Sequence, residues 1–378
     1  MPIAFGVHIG HTSMCVAAEK DGNVDVIAND AGDRVTPAVV GMNEGEILVG
    51  LSAKQLSARK PESIAQDSIS KIAQDDKEVF ALHDNGNTKQ LSTEKVHSKL
   101  YKYMKGNLKS FFVKLFKFVL THLIWQFFVK LFKFVLAISI WQFFWSNCSS
   151  LFWPIQFDNF FKFSDVALTY STENDFSKTV ITVPLSFTPE QRKQVKNYAT
   201  LGGLHVSQVI SEPAAALLAY GISQNDQTES NLVLVFKCGG ASLTCTVMQT
   251  SGGMYSVLGS VTKEVGGDLV TNILIEMLAA EFKRKYKMDP KESKRGKMKL
   301  KINGENAKHV LSTLDNANCY IESLHEGIDF NANVSRSRLD AEFSKILSKF
   351  IDPLHEVLDT VKIKPTDIDK VGNVVFLH

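Results

Sequence analysis

The sequence has few cysteines, and they form no pattern typical of a disulfide scaffold or a metal site. The 378 residues include five, Cys15, Cys148, Cys238, Cys245 and Cys319, without a Cys-x-x-Cys pair. An odd, scattered set argues against disulfide bridges and zinc, and it fits a reducing compartment. An excess of charge of one sign is also lacking. The formal net charge of +2 predicts neither a nucleic-acid-binding protein nor an acidic surface.

Signals for secretion and for common hydrolytic chemistry are lacking too. The N-terminus, MPIAFGVHIG, has neither the basic start nor the apolar run of a secretory signal. No Ser-His-Asp or His-Glu-x-x-His pattern occurs, and His205 and His325 have no partners at ligand spacing, so we assign no metal ligand. The hydrophobic content of 44% is ample for a core. These observations favour a cytosolic globular protein.

An aromatic tract interrupts this ordinary composition. The decapeptide FFVKLFKFVL occurs at 111–120 and again at 127–136, and an uncharged run follows from 134 to 157. Two copies are too few for a solenoid. A membrane span is the second possibility, although serines, an asparagine and a proline spoil its later half. An amphipathic surface helix is the third, but phenylalanines cover nearly every face. We favour an insertion foreign to the fold, at about 107–165.

Lysines cluster late in the chain, in EFKRKYKMDPKESKRGKMKLK from Glu281 to Lys301. Such a run is most often one solvated helix face. It could also contact an RNA surface such as a ribosome. The sequence alone leaves both readings open.

Two stretches share one plan of strand, Gly-containing turn and strand. The first is IAFGVHIGHTSMCVAAEKDGNVDVIAND at the N-terminus, and the second runs from Asn231 to Ser260. Between them, TVITVP reads as a strand, TPEQRKQVKNYATLGG as a helix capped by Thr188, HVSQVI as a strand and EPAAALLAYG as a helix. This alternation predicts an α/β core in two related lobes with a cleft between them. Gly-rich hairpin turns facing a cleft suit phosphate.

Ten segments in order resemble the nucleotide-binding domain of the 70-kDa heat-shock chaperones. They are GVHIGHTS, NDAGDRVTPAVVG, VGLSAKQ, VITVPLSFTPEQR, VISEPAAALLAYGI, FKCGGAS, VGGDL, EFKRKYKMD, AKHVLSTLDNANCYIESLHEGIDF and SRSRLDAEF. The likeness is greatest to the divergent, ribosome-associated branch of that family, which similarly has His in the first loop and Lys in the second.

The resemblance implies an α/β, actin-like ATPase fold with two lobes around a nucleotide cleft. We expect a first lobe at 1–187, interrupted by the insert, and a second lobe at 188–378. The family's adenosine-holding loop would follow the last strand, DIDKVGNVVFLH. We therefore expect the fold to be C-terminally incomplete, with no peptide-binding domain.

The resemblance also assigns site residues. Glu212 is the candidate catalytic residue, facing the attacking water or the metal's water shell. The implied nucleotide contacts are Gly10, Thr12, Lys237, Gly239, Gly240, Ser242, Gly266, Gly267, Glu305, Lys308 and Ser312. The departures from the family pattern are His8 and Lys237 for two aspartates, His11 for a hydroxyl residue, Thr244 for another aspartate, Ala73 for a lysine and His309 for an arginine.

These departures remove groups that hold magnesium. Mg²⁺ keeps several waters, and carboxylates hold those waters in place. His8 is a poorer partner for them, and Lys237 brings positive charge that could pair directly with phosphate. Phosphoryl transfer depends on positioning and charge stabilisation. We therefore expect ATP or ADP to bind with little dependence on magnesium, and hydrolysis to be weak or absent.

The role that the resemblance implies is assisting the folding of new chains in the cytosol, within the stress-response family. A J-domain co-chaperone and the ribosome or nascent chains would be the partners, and no DNA partner is expected. Three alternatives remain open. One is a non-catalytic interaction protein or inactive truncated variant, the second a sugar-kinase-like enzyme, and the third a membrane-anchored protein.

Overall fold

The structure is a computed structural model of the chain. It describes residues 4–20, 23–66, 68, 72, 79–84, 86–110, 178–222 and 230–375. Ala73, the uncharged run at 134–157 and all of the predicted insert beyond residue 110 lie outside the described residues. Residues 107–110 continue a helix, and Leu108 is fully buried in the first core.

The first part of the chain builds a mixed sheet with smaller sheets beside it. Its elements are β1 (Ala4–Ile9), β2 (Ser13–Lys20), β3 (Asn23–Val26), β4 (Thr36–Pro37), β5 (Val39–Asn43), β6 (Glu46–Val49), α1 (Leu51–Ser57), β7 (Ile64–Gln66), β8 (Val79–Asp84), β9 (Asn87–Ser92), α2 (93–110), β10 (Thr179–Val183), α3 (Pro189–Leu201), β11 (Val206–Ser211) and α4 (Glu212–Ala219). The main sheet has the order β11-β10-β1-β2-β3, and β4 also pairs with β2.

The predicted strands and helices of this part are confirmed. Alternate residues of β1 are buried, as expected for a strand with one face on the core. Helix α3 begins at Pro189, and Thr188 and Gln191 form a reciprocal capping box at its start. This helix connects the parallel strands β10 and β11, a crossover that keeps both strands in one sheet. Helix α3 and β11 therefore share the first core, although they follow the predicted lobe boundary at 187.

The second part repeats the plan. Its elements are β12 (Asn231–Cys238), β13 (Leu243–Ser251), β14 (Met254–Lys263), α5 (Gly267–Tyr286), α6 (Lys294–Leu311), β15 (Asn316–His325), β16 (Ile328–Ser335), α7 (Arg336–Ser344), α8 (Ser348–Val361) and β17 (Lys370–Val375). The sheet order is β14-β13-β12-β17. Strand β12 pairs antiparallel with β13 and parallel with β17, just as β1 pairs antiparallel with β2 and parallel with β10. The prediction of one unit used twice is confirmed.

The elements of the second part pack around separate hydrophobic cores. Helix α8 packs on β13 and β14 and covers one face of that sheet. Helices α5 and α6 pack on each other and on the β15–β16 hairpin, around the fully buried rings of Phe282 and Phe330. Within the ranges that the structure describes, no helix is both long and apolar enough to cross a membrane.

Candidate functional site

The two Gly-containing turns predicted from the sequence lie against each other. In the β1–β2 turn, the Gly10 N–H donates to the Ser13 carbonyl at 2.8 Å, and in the β12–β13 turn the Gly239 N–H donates to the Ser242 carbonyl at 2.9 Å. A Cβ added to Gly240 would lie 2.5 Å from Thr12 Oγ1. Glycine is therefore required for this contact, because any side chain at position 240 would push the two turns apart.

A cavity of about 260 Å³ lies between the two turns. Seven of the predicted site residues line it: Gly10, Thr12, Glu212, Lys237, Gly239, Gly240 and Ser242. These residues come from both halves of the chain. The structure therefore brings together most of what the sequence proposed as the phosphate end of a nucleotide site.

Three side chains from three elements meet at the floor of this cavity. His8 lies near the end of β1, Lys237 near the end of β12, and Glu212 begins α4. Lys237 Nζ lies 2.6 Å from Glu212 Oε2, and His8 Nδ1 lies 3.8 Å from Glu212 Oε1. The side chains are 12–15% exposed. We call these three residues the floor cluster.

His8 is the neutral member of the floor cluster. Burial lowers the pKa of His8 to about 4; the charge of Glu212 opposes this shift, and Lys237 and His11 reinforce it. The ring is therefore uncharged at neutral pH, and its contact with Glu212 is not an ion pair. Its Nδ1 lies 2.9 Å from Thr182 Oγ1. Lys237 is thus the cation that neutralises Glu212.

The start of α5 supports the second turn from behind. The Gly267 N–H donates to the Gly239 carbonyl at 2.9 Å, and the Asp268 N–H donates to the Gly240 carbonyl at 2.8 Å. A Cβ on Gly266 would lie 2.4 Å from the Gly240 oxygen, so this approach also requires glycine. Gly266 and Gly267, predicted as nucleotide contacts, do not line either of the two cavities described here. Their observed contacts position the turn.

A larger cleft of about 1260 Å³ adjoins the first cavity, and both are lined by His11, Thr12 and Ser13. Lys54 of α1 and Glu305 of α6 lie on its walls and form an ion pair, with Nζ 2.7 Å from Oε2. This pair joins the two halves of the chain across the cleft.

The other two residues predicted on α6 lie outside both cavities. Lys308 Nζ donates to the Gly267 carbonyl at 3.3 Å, and burial lowers the pKa of this lysine. Ser312 is exposed, and its hydroxyl donates to the His309 carbonyl at 2.6 Å. His309, the residue that replaces an arginine of the family pattern, does line the large cleft.

Sequence reasoning missed two residues of this site, Thr182 and Lys54. Thr182 belongs to the predicted strand TVITVP, where period-two alternation could have placed it beside His8. Lys54 lies in the quoted segment VGLSAKQ, but its pairing with Glu305 depends on how the two halves pack.

The arrangement fits a phosphate group. Gly10 and Gly240 have no Cβ to exclude an oxygen from the turns, and Lys237 supplies a positive charge between them. An ammonium group has three N–H donors, so its bond to Glu212 leaves donors for a phosphate. Among the described residues, no three His, Cys, Asp or Glu side chains are grouped to hold a metal ion.

Comparison with known proteins identifies the family. A family model described as "Hsp70 protein" matches residues 4–95 and 161–375; residues 96–160, which include both copies of the repeat, are not matched. The chain is 37% identical to heat shock 70 kDa protein 14 of Xenopus tropicalis over 373 residues, which is 97% of this chain and 65% of that protein.

The human protein of the same name is 37% identical over 369 residues, and the Danio rerio protein 35% identical over 372. The chain spans 65–66% of the length of these relatives. The paired lobes and their facing turns agree with the actin-like ATPase fold expected of the family's nucleotide-binding domain. The chain belongs to the Hsp70 family.

Proposed function

We propose that this chain provides the nucleotide-binding domain of an atypical Hsp70 chaperone, which binds ATP or ADP with little dependence on magnesium. The observation that carries the proposal is the Lys237–Glu212 ion pair, 2.6 Å long, between the two glycine turns. The family pattern has two aspartates at positions 8 and 237 in addition to Glu212. Here one carboxylate faces one ammonium group and a neutral imidazole, so the floor cluster has no net charge.

This charge balance favours phosphate over hydrated magnesium. A hydrated Mg²⁺ ion is held by carboxylates that accept from its waters, and Glu212 already accepts from Lys237. The Lys237 ammonium can instead contact phosphate oxygens directly. When bound, magnesium would neutralise charge at the transferred phosphoryl group; the Lys237 ammonium takes over part of that role in the ground state.

Slow hydrolysis follows from the same contacts. A carboxylate that orients the attacking water needs a free lone pair directed at that water. Lys237 engages Glu212 Oε2 at 2.6 Å, so only Oε1, which lies 3.8 Å from His8 Nδ1 and beyond hydrogen-bond distance of it, is left to orient a water. His8 and Lys237 also replace the carboxylates that would position a metal. We therefore propose turnover well below that of a typical family member.

The cellular role is proposed from the relatives. They are named heat shock 70 kDa protein 14, which supports a chaperone role; we propose that the whole protein assists the folding of new chains in the cytosol. The proposed partners are a J-domain co-chaperone, the ribosome and nascent chains. The chain covers about two thirds of these relatives, so this role belongs to the proposal for the whole protein.

The test is a titration of the purified chain with ATP and with ADP, in magnesium and in EDTA, by calorimetry. We expect dissociation constants that agree within about threefold between the two conditions, since Lys237 and not the metal meets the phosphates. A strict magnesium requirement would overturn the proposal. Hydrolysis is measured in parallel as phosphate release, with Lys237→Asp as the variant expected to regain metal dependence.

A second candidate is a folded domain whose cleft holds no nucleotide. It is favoured by the mutual neutralisation of Lys237 and Glu212, which leaves the floor cluster satisfied without a ligand. Absence of binding to ATP and ADP, together with a cooperative thermal transition, would support this candidate against the first.

A further inference from the structure

A second surface, remote from the glycine turns in sequence, has a net positive charge, whereas the rest of the chain has a net negative charge. Residues 281–301 hold ten Lys or Arg and three Asp or Glu, a net charge of +7, whereas the rest of the chain holds 32 and 37, a net charge of −5. We call this segment the basic tip. It contains the end of α5, a short connection and the start of α6.

Both helix ends meet at this tip. Gly304, late in α6, packs against Leu274 and the Thr271 carbonyl, early in α5, and Lys308 reaches the Gly267 carbonyl. The two helices therefore run antiparallel, and the last turn of α5 lies beside the first turn of α6. Their cations form one surface.

Helix stability accounts for only three of these ten cations. Lys283, Arg284 and Lys285 occupy the last turn of α5, where positive charge is favourable to the helix dipole. The first turn of α6 has no acidic residue and begins with Lys294 and Arg295. Cations at a helix N-terminus are unfavourable by roughly 0.3–1 kcal/mol each. Their presence there points to a partner that is negatively charged.

Most of these cations have no acidic partner among the residues that the structure describes. Lys283 pairs with Asp289 at 3.4 Å, and Lys291 pairs with Glu276 at 2.7 Å. Within the part of the chain that the structure describes, six others are exposed and make no ion pair: Arg284, Lys285, Lys287, Lys294, Arg295 and Lys297. The surface therefore keeps its charge.

The tip also lacks the anchors of a protein–protein interface. No large hydrophobic side chain among the exposed ones lies within 281–301 of the described chain. Protein partners are usually held by buried aromatic or aliphatic anchors, whereas a phosphate backbone is held by charge alone. We infer that the basic tip binds the phosphate backbone of RNA. This function goes beyond the nucleotide site and gives the proposed ribosome association a chemical basis without depending on it.

The test measures binding of the full chain to a short labelled RNA hairpin by fluorescence anisotropy at increasing KCl. If the tip contacts several phosphates, the logarithm of the association constant should fall linearly with the logarithm of the salt concentration. The slope should be about −0.7 to −0.9 for each phosphate contacted. The variant Arg295→Glu/Lys297→Glu should weaken binding roughly tenfold or more and reduce the slope by about 2.

The matched control is Lys193→Glu/Lys196→Glu on α3, where both lysines are exposed and the change in net charge is the same. This control should bind RNA within about twofold of the natural chain, because its charges lie outside the proposed contacts. Equal losses in the two variants would mean that only overall charge matters, and would overturn the inference. So would the absence of RNA binding at physiological salt.

A polyglutamate peptide of similar charge distinguishes the other class of partner. Binding of the peptide as tightly as RNA would assign the tip to acidic proteins and overturn the RNA proposal. If the first variant melts early, Arg284→Glu/Lys285→Glu on α5 tests the same surface from the other helix. ATP titration of each variant keeps the two proposals separate, because loss of RNA binding with unchanged nucleotide affinity leaves the nucleotide proposal standing.

Discussion

Removing the Lys237 ammonium is the most direct perturbation of the floor cluster. At an effective dielectric constant near 20, two unit charges 2.6 Å apart attract by about 6 kcal/mol before desolvation is counted. Both side chains are nearly buried, at 14% and 12% exposure. In Lys237→Met, the Glu212 carboxylate loses its partner and remains desolvated. We expect a loss of about 2–3 kcal/mol in the free energy of unfolding.

The assay is urea denaturation in EDTA without nucleotide, applied to a double-mutant cycle. Glu212→Gln removes the negative charge, and the double variant Lys237→Met/Glu212→Gln removes both. The double variant should recover most of the stability lost in Lys237→Met, because no unpaired charge is left buried. A coupling energy below about 0.5 kcal/mol would refute the reasoning, since the pair would then act as an exposed ion pair. The same Lys237→Met protein should bind ATP in EDTA roughly tenfold more weakly, as a charge-assisted contact to phosphate is lost.

Three further predictions concern the turns, the first core and the cleft. Gly240→Ala places a Cβ 2.5 Å from Thr12 Oγ1 and should lower both the ATP affinity and the melting temperature. The control is Gly106→Ala in helix α2, where the added Cβ meets no atom within 4 Å, and it should leave the melting temperature unchanged or raise it slightly. Burial lowers the pKa of His97 to about 4. The histidine of the unfolded chain binds a proton near pH 6.5, whereas the buried His97 ring does so only near pH 4, so the free energy of unfolding should fall as the pH is lowered from 6.5 to 4. In urea titrations, His97→Phe should lose about 2–3 kcal/mol less over this pH range than the natural chain. Lys54→Ala breaks the ion pair across the cleft and should speed release of a fluorescent nucleotide a few-fold in stopped flow, with unchanged release counting against a role in closure.

The local elements of this fold could be predicted because each is encoded by adjacent residues. Glycines between alternating apolar strands located both hairpins, and Thr188, Pro189 and Gln191 located the start of α3. The extent of the first sheet could not be read in this way. Whether β11 pairs with β10 or joins a second lobe depends on parallel pairing through a crossover, and local sequence carries no signal for that choice.

The candidate site was predictable as a set of residues but not as a set of contacts. Lys237 and Glu212 were both proposed, in separate roles, and their 2.6 Å ion pair appears only when β12 and the start of α4 come together. Lys308 and Ser312 show the opposite outcome. Their spacing on α6 fits one helix face, yet Lys308 reaches the Gly267 carbonyl and Ser312 caps its own helix.

The phosphate-facing geometry and the charge of this site are set by different parts of the chain. The geometry depends on backbone: Gly240 lets the turns touch, and the Gly239 and Gly240 carbonyls accept from the first amides of α5. The charge depends on side chains at strand ends, His8 and Lys237, whereas the hydrogen bonds that close the turns, from the Gly10 N–H to Ser13 and from the Gly239 N–H to Ser242, join backbone atoms. The charge of the floor cluster can therefore change from one that suits a metal ion to one that is neutralised within the cluster, while the two turns keep their contacts. The two substitutions remain coupled, because a cation at position 8 would be repelled by the Lys237 ammonium, and burial keeps His8 neutral.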